Sequence, residues 1–145
     1  MSLWVLDTDC VSLLLERHPQ VSRRVAEVGA EVAISIVTVQ ELFNGWVVRI
    51  NSAREVEDIV RLYGKLSRTV ALFGRVRVLG FDEKAGEIFQ RLLTENSRLS
   101  KQRLQKDMRI AAIALVNNAV IVTRNYRDFS QVPGLKIEDW SQHNG

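Results

Sequence analysis

The sequence predicts an α/β fold with a largely parallel sheet, and three observations carry that expectation. Short, unbroken apolar runs recur at Leu3–Leu6, Val32–Val37 and Ala119–Val122, the pattern of strands buried on both faces. Between them lie stretches where apolar residues return every three or four positions, the spacing of amphipathic helices. Strands that alternate with helices need crossover connections, and those connections build parallel sheets.

In chain order, Leu3–Leu6 is the first strand and ends directly on Asp7. Val32–Val37 is the second. Val56, Ile59, Val60, Tyr63, Leu66, Val70 and Phe73 then follow helical spacing within the segment Glu55–Phe73, which suits packing on the sheet or a groove for a partner. Arg75–Phe81 is a weaker strand. Ile88, Leu92 and Leu93 mark another helix, and Ile110, Ala111, Ile113, Ala114 and Leu115 a further one, Met108–Val116. Ala119–Val122 and the weaker Leu135–Ile137 complete the strands. There is no repeat or low-complexity tract, and Pro19 and Pro133 are the only prolines. With no Gly/Pro-rich linker, residues 1–145 are expected to form one domain.

Composition excludes several classes. At 46% hydrophobic and 26% charged residues, the chain has the balance of a soluble globular protein. No apolar run approaches the roughly 20 residues that cross a bilayer, so no membrane partner is expected. Met1–Leu6 lacks a basic n-region and is interrupted by Asp7 and Asp9, which argues against a signal peptide. A lone Cys10 forms no internal disulfide, fits a cytoplasmic location, and rules out a zinc site of paired cysteines. It reads as a small buried filler. His18 and His143 are isolated and read as solvent-facing. A net charge of +3 permits binding to polyanions without requiring it. Arg98, Lys101, Arg103, Lys106 and Arg109 cluster with Asp107 as the sole acid among them. A solvated helix face and a phosphate-contacting rim are both open for that run.

Four acids stand where a parallel sheet places its chemistry, beyond the carboxyl ends of the strands. Asp7 follows the first strand, and Asp7, Thr8 or Asp9 can also serve as a helix N-cap. Glu41 follows the second strand in Thr38-Val39-Gln40-Glu41, where a capping box is an equally good explanation. Asp107 opens the helix Met108–Val116, and a carboxylate there suits the positive end of the helix dipole. Asp128 lies in the loop Thr123–Phe129 after a strand. Each has a structural explanation when taken alone. Gathered on one edge, such carboxylates would raise one another's pKa, a conflict that a divalent cation removes. Oxygen-only ligands favour Mg²⁺ or Mn²⁺, and the chemistry implied is metal-assisted phosphodiester hydrolysis.

The ordered set Leu6–Asp9, Thr38–Leu42, Asp107–Ala114 and Val122–Phe129, closed by Val132–Trp140, resembles a PIN domain, and among PIN domains the VapC-type toxins. The resemblance spans essentially the whole chain. It implies a three-layer α/β/α fold and a Mg²⁺- or Mn²⁺-dependent endoribonuclease, with Asp7 and Asp107 as principal metal ligands. Glu41 would be the third acid, and Asp128 with Asn125 the variable polar end of the constellation. Thr8 and Thr123 would orient ligands or water. The implied partners are an RNA substrate, a small antitoxin that covers the pocket, and a second copy of the chain in a homodimer. One departure stands out: the approach to Asp107, Arg103-Leu104-Gln105-Lys106, lacks the family's usual glycine. That makes the approach more helical, or sets Lys106 against the pocket. For such an enzyme the basic stretch from Arg98 to Arg109, with Lys101, Arg103, Lys106 and Arg109, is expected to help grip the RNA backbone.

Rival readings remain. Asp7-Thr8-Asp9 after a strand also suits an Asp-x-Asp phosphatase, but no acidic pair follows Ala119–Val122 as that chemistry needs. A catalytically silent PIN-like module that binds RNA or protein is the other alternative, and it would gain little from four retained carboxylates. Phe43 and Trp46, at helical spacing near Glu41, are expected to pack in the core, with base stacking or an antitoxin contact as the lesser option.

Overall fold

A computed structural model describes residues 2–142. Five parallel strands, β1 (Trp4–Leu6), β2 (Val32–Ser35), β3 (Arg77–Leu79), β4 (Val120–Val122) and β5 (Lys136–Glu138), pair in the order β3-β2-β1-β4-β5. The seven helices described are α1 (Thr8–Leu15), α2 (Pro19–Val28), α3 (Ile36–Ser52), α4 (Val56–Phe73), α5 (Glu83–Glu95), α6 (Gln105–Val116) and α7 (Tyr126–Phe129).

Alternation along the strands divides the core between the two faces of the sheet. Val5, Ala33, Leu79 and Ile121 pack with α5, α6 and Phe129 of α7 on one side. Leu6, Ile34 and Val122 pack with Cys10, Val21, Leu42 and Leu72 on the other. The result is the expected three-layer α/β/α arrangement. Helix α6 buries Met108, Ile110, Ala111, Ala112, Ile113 and Ala114, apolar on nearly every side, as befits a helix enclosed by its neighbours. Its alanines let it lie close to other elements, and that fixes the position of its first turn.

The chain runs from β1 outward through β2 to β3, then crosses to β4 and β5 on the opposite side of β1. The strand order therefore reverses between β1 and β4, the place where such sheets open a crevice at their carboxyl ends.

The structure corrects four local expectations. The second strand stops at Ser35, not Val37, because Ser35 is the N-cap of α3 and its Oγ accepts the Thr38 amide at 3.0 Å. Thr38 is thus already inside the helix, and Thr38–Glu41 is not a capping box. Helix α6 begins at Gln105, two residues before Asp107 and three before Met108. A 3-10 turn, Gln102–Leu104, leads into it, so the glycine-free approach is helical and Lys106 is exposed. His18 does not simply face solvent: its Nδ1 caps α2 by accepting the Val21 amide at 3.3 Å. His143 lies outside the described residues. Cys10 is fully buried, as expected of a filler.

Candidate active site

Asp7 closes β1 and caps α1, and its two carboxylate oxygens divide the work. Oδ1 accepts the Cys10 amide at 2.8 Å, and Oδ2 accepts the Thr123 hydroxyl, at the end of β4, at 2.6 Å. Asp7 is thus the N-cap of α1 and lines the crevice at once. Burial pushes the Asp7 pKa up, opposed by the hydrogen bonds from Thr123 and Cys10. Thr123 in turn accepts the Asn125 amide at 2.9 Å.

Glu41 lies on the second turn of α3 and is held by a ladder of hydroxyls. Ser35 donates to Thr38 at 3.3 Å, Thr38 lies 3.0 Å from Thr8, and Thr8 donates to Glu41 Oε1 at 2.7 Å. Because Thr8 gives its proton to Glu41, Thr38 must give its own to Thr8, and one consistent direction runs from β2 to the carboxylate. Ser35 and Thr38 are fully buried. Sequence reasoning missed this supporting ladder, for which a serine ending an apolar run, with a hydroxyl three residues on, was the available signal.

Asp107, in the first turn of α6, is half-buried, and its pKa is raised to about 6. Burial is the largest cause, followed by repulsion from Asp7, Glu41 and Asp128, with Arg103 opposing. Asp7, Thr8, Glu41, Asp107 and Asn125 line one open pocket of about 670 Å³ together with Asp9 and Arg124. Arg124 clamps Asp9 with two bonds of 2.7 and 3.0 Å, a bidentate pair that sequence reasoning did not single out.

Asp128 stands behind this pocket. Its Oδ2 accepts from Asn125 at 2.9 Å and from Arg103 at 3.2 Å, while its Oδ1 is buried with no hydrogen-bond partner. The Asn125 bond, more than the Arg103 contacts, holds its pKa below the usual carboxylate range despite burial. Of the basic run, Arg103 reaches the acids, Lys101 and Lys106 are exposed, and Arg109 lies over the Phe89 ring at 5.6 Å. Among the described residues no three acidic, His or Cys side chains stand close enough to clasp an ion as they lie. Each is engaged within the protein: Asp7 with Thr123, Glu41 with Thr8, Asp128 with Arg103.

The arrangement fits hard-cation chemistry on two counts. Its donors are carboxylate and hydroxyl oxygens, and one of them, Asp128 Oδ1, is buried and unpartnered, a state that costs about 1–3 kcal/mol or more. Wide-set acids also suit Mg²⁺, which keeps several waters and takes only one or two carboxylates directly.

Comparison with known proteins bears on the family and the fold. The chain is 29% identical over 142 residues to the tRNA(fMet)-specific endonuclease VapC of Shigella flexneri, covering 97% of this chain and 100% of that one. It is 24% identical over 143 residues to Ribonuclease VapC2 of Rickettsia felis, covering 97% and 99%. A solved structure of DNA-bound VapBC from Salmonella typhimurium superposes with a TM-score of 0.79 at 26% identity, over 97% of this chain and 99% of that one. With residues 4–135 matching the PIN domain, the chain belongs to the PIN-domain family.

Proposed function

We propose that this protein is a metal-dependent endoribonuclease, the toxin of a toxin–antitoxin pair, and that it hydrolyses RNA phosphodiesters with a metal-activated water. The observation that carries the reading is that Asp7, Glu41 and Asp107, distant in sequence, line one pocket at the carboxyl edge of the sheet. The names of the relatives, ribonucleases and a transfer-RNA endonuclease, support it.

Asp7, Glu41 and Asp107 would hold Mg²⁺ or Mn²⁺, with Asp128 as the outlying fourth acid. Such an ion, when bound, lowers the pKa of a coordinated water and stabilises charge on a phosphate. The chain's own contribution is orientation. Thr123 fixes the Asp7 rotamer, the Ser35–Thr38–Thr8 ladder fixes Glu41, and Asn125 aligns Asp128. Arg103, more than half exposed beside Asp128, is free to swing toward a phosphate, which would release that acid. Exposed Lys101 and Lys106 extend the positive rim along which an RNA backbone would lie.

An antitoxin or a second copy of the chain has a surface to cover. Val56, Val60, Tyr63 and Val70 are all exposed along one face of α4, at helical spacing, and such apolar stripes mark interaction sites. The described helices include none long and apolar enough to cross a membrane.

Purified protein should cleave RNA in Mg²⁺ or Mn²⁺ and stop when a chelator is added. Asp7→Asn, which retains a capping oxygen, and Asp107→Asn should each abolish cleavage and relieve any growth arrest on expression. Cleavage that persists in both variants, or in chelator, would remove the mechanism.

A further inference from the structure

A second groove, of about 540 Å³, begins where the acidic pocket ends: Glu41 lines both. It runs between α1 and the α3–α4 pair, and its walls carry Arg17, Arg49, Lys65 and Arg68 around Trp46. Among the described residues none of these four cations forms a salt bridge, and Glu16 is the only acid in the lining besides Glu41. We propose that this groove is a nucleotide subsite, where a base of single-stranded RNA stacks on Trp46 and the neighbouring phosphates meet Arg17, Arg49, Lys65 and Arg68. The inference rests on the ribonuclease reading above.

The indole is built for stacking. Its N–H is already spent on Thr69 Oγ1 at 3.0 Å, and the Thr69 hydroxyl is itself tied to the Lys65 carbonyl at 2.9 Å. The ring is thereby fixed, and its π surface, over which Arg49 and Lys65 now lie, is what a base would meet once they turn aside, in sequence-tolerant stacking. The Arg49 guanidinium and the Lys65 ammonium lie 5.0 and 5.9 Å from the ring centroid, placed to turn toward the phosphates of a stacked nucleotide. Trp46 follows Glu41 by five residues on α3, about 7.5 Å along the helix axis. A base there lies within a nucleotide or two of a phosphate at the acids. An acidic protein segment would also suit the cations, but the shared edge with the acidic pocket favours the strand that the pocket would cut.

The test is fluorescence anisotropy of a labelled single-stranded RNA dodecamer, titrated with the full-length protein in chelator over a range of salt. Trp46→Leu should weaken binding roughly 10- to 100-fold, the worth of one base–aromatic stack, and Trp46→Phe should keep most of the affinity. Arg49→Gln and Arg68→Gln, both at exposed positions and no risk to folding, should each lower the slope of log K against log salt by ~0.7. Parent-like affinity and slope in the two arginine variants would overturn the proposal and leave the groove to a protein segment. Failure of the ribonuclease reading shows separately, as no cleavage by the parent in Mg²⁺.

Discussion

Replacing Asp107 with Asn should make the metal-free protein more stable while destroying its activity. Asp107 titrates near pH 6, chiefly because it is buried, and secondly because Asp7, Glu41 and Asp128 repel its charge. The unfolded chain would ionise the same group near 3.8. Between those values the folded state binds more protons than the unfolded one, so stability falls as pH rises through about 4 to 6. Above that window the loss is complete and amounts to at most ~3 kcal/mol. Asparagine cannot ionise and so recovers it. The variant forgoes the favourable interaction of a carboxylate with the first turn of α6, worth about 0.3–1 kcal/mol. A net gain of at most about 2 kcal/mol remains, which raises Tm by up to roughly 5–8 °C in a chain of this size.

Thermal melts followed by circular dichroism, in chelator, check this at two pH values. At pH 7.5 Asp107→Asn should melt above the parent; at pH 4.5, where the folded parent's carboxyl is protonated but the unfolded chain's is still largely ionised, the charge penalty should shrink to about a third of its value. Mg²⁺ should raise the parent's Tm and leave the variant's nearly unchanged. A variant that melts at or below the parent at pH 7.5 would refute the account of crowded carboxylates.

Other substitutions probe the supports. Thr123→Val removes the hydroxyl that serves both Asp7 and the Asn125 amide; it should cost about 1–3 kcal/mol in urea unfolding and reduce cleavage. Phe129→Ala empties one of the largest fully buried side chains and should cost about 3–5 kcal/mol by the same assay. Lys101→Glu and Lys106→Glu should weaken RNA binding and flatten its salt dependence. Unchanged binding at every salt concentration would remove those two lysines from the RNA path.

The fold was legible because its cues are local and repeated. Leu3–Leu6 and Ala119–Val122 are apolar without a break, and the strands found there lose only their first residue. Asp7 was placed by the strand that precedes it. The second strand was overrun because Val32–Val37 stays apolar across Ser35; what ends it is a side-chain hydrogen bond to the Thr38 amide, which hydrophobicity does not register. The helix start at Gln105 was missed for a related reason. Its first turn carries Lys106 and Asp107 and buries little, whereas periodicity detects only the apolar body that follows. Long-range pairs were the least legible: Arg103 with Asp128 and Arg124 with Asp9 join residues 25 and 115 positions apart, and no pattern in the sequence announces them.

The acids at this edge are held by backbone as well as by the side-chain cations Arg103 and Arg124. Asp7 caps α1, Asp107 lies in the first turn of α6, and Glu41 rides α3 just beyond a cap at Ser35. Two helix N-termini, those of α1 and α6, thus present partial positive charge worth about 0.3–1 kcal/mol to a nearby carboxylate, while Glu41, a turn further along α3, is held by Thr8. That charge offsets only part of the at most ~3 kcal/mol by which Asp107 is disfavoured as an anion at neutral pH, so the helices hold the acids in place without neutralising them. The remaining repulsion is what a divalent cation would relieve on binding. Metal affinity and metal-free instability should therefore share one origin, and any substitution that lowers the Asp107 pKa by removing a neighbouring charge should stabilise the empty protein and weaken its hold on the ion together.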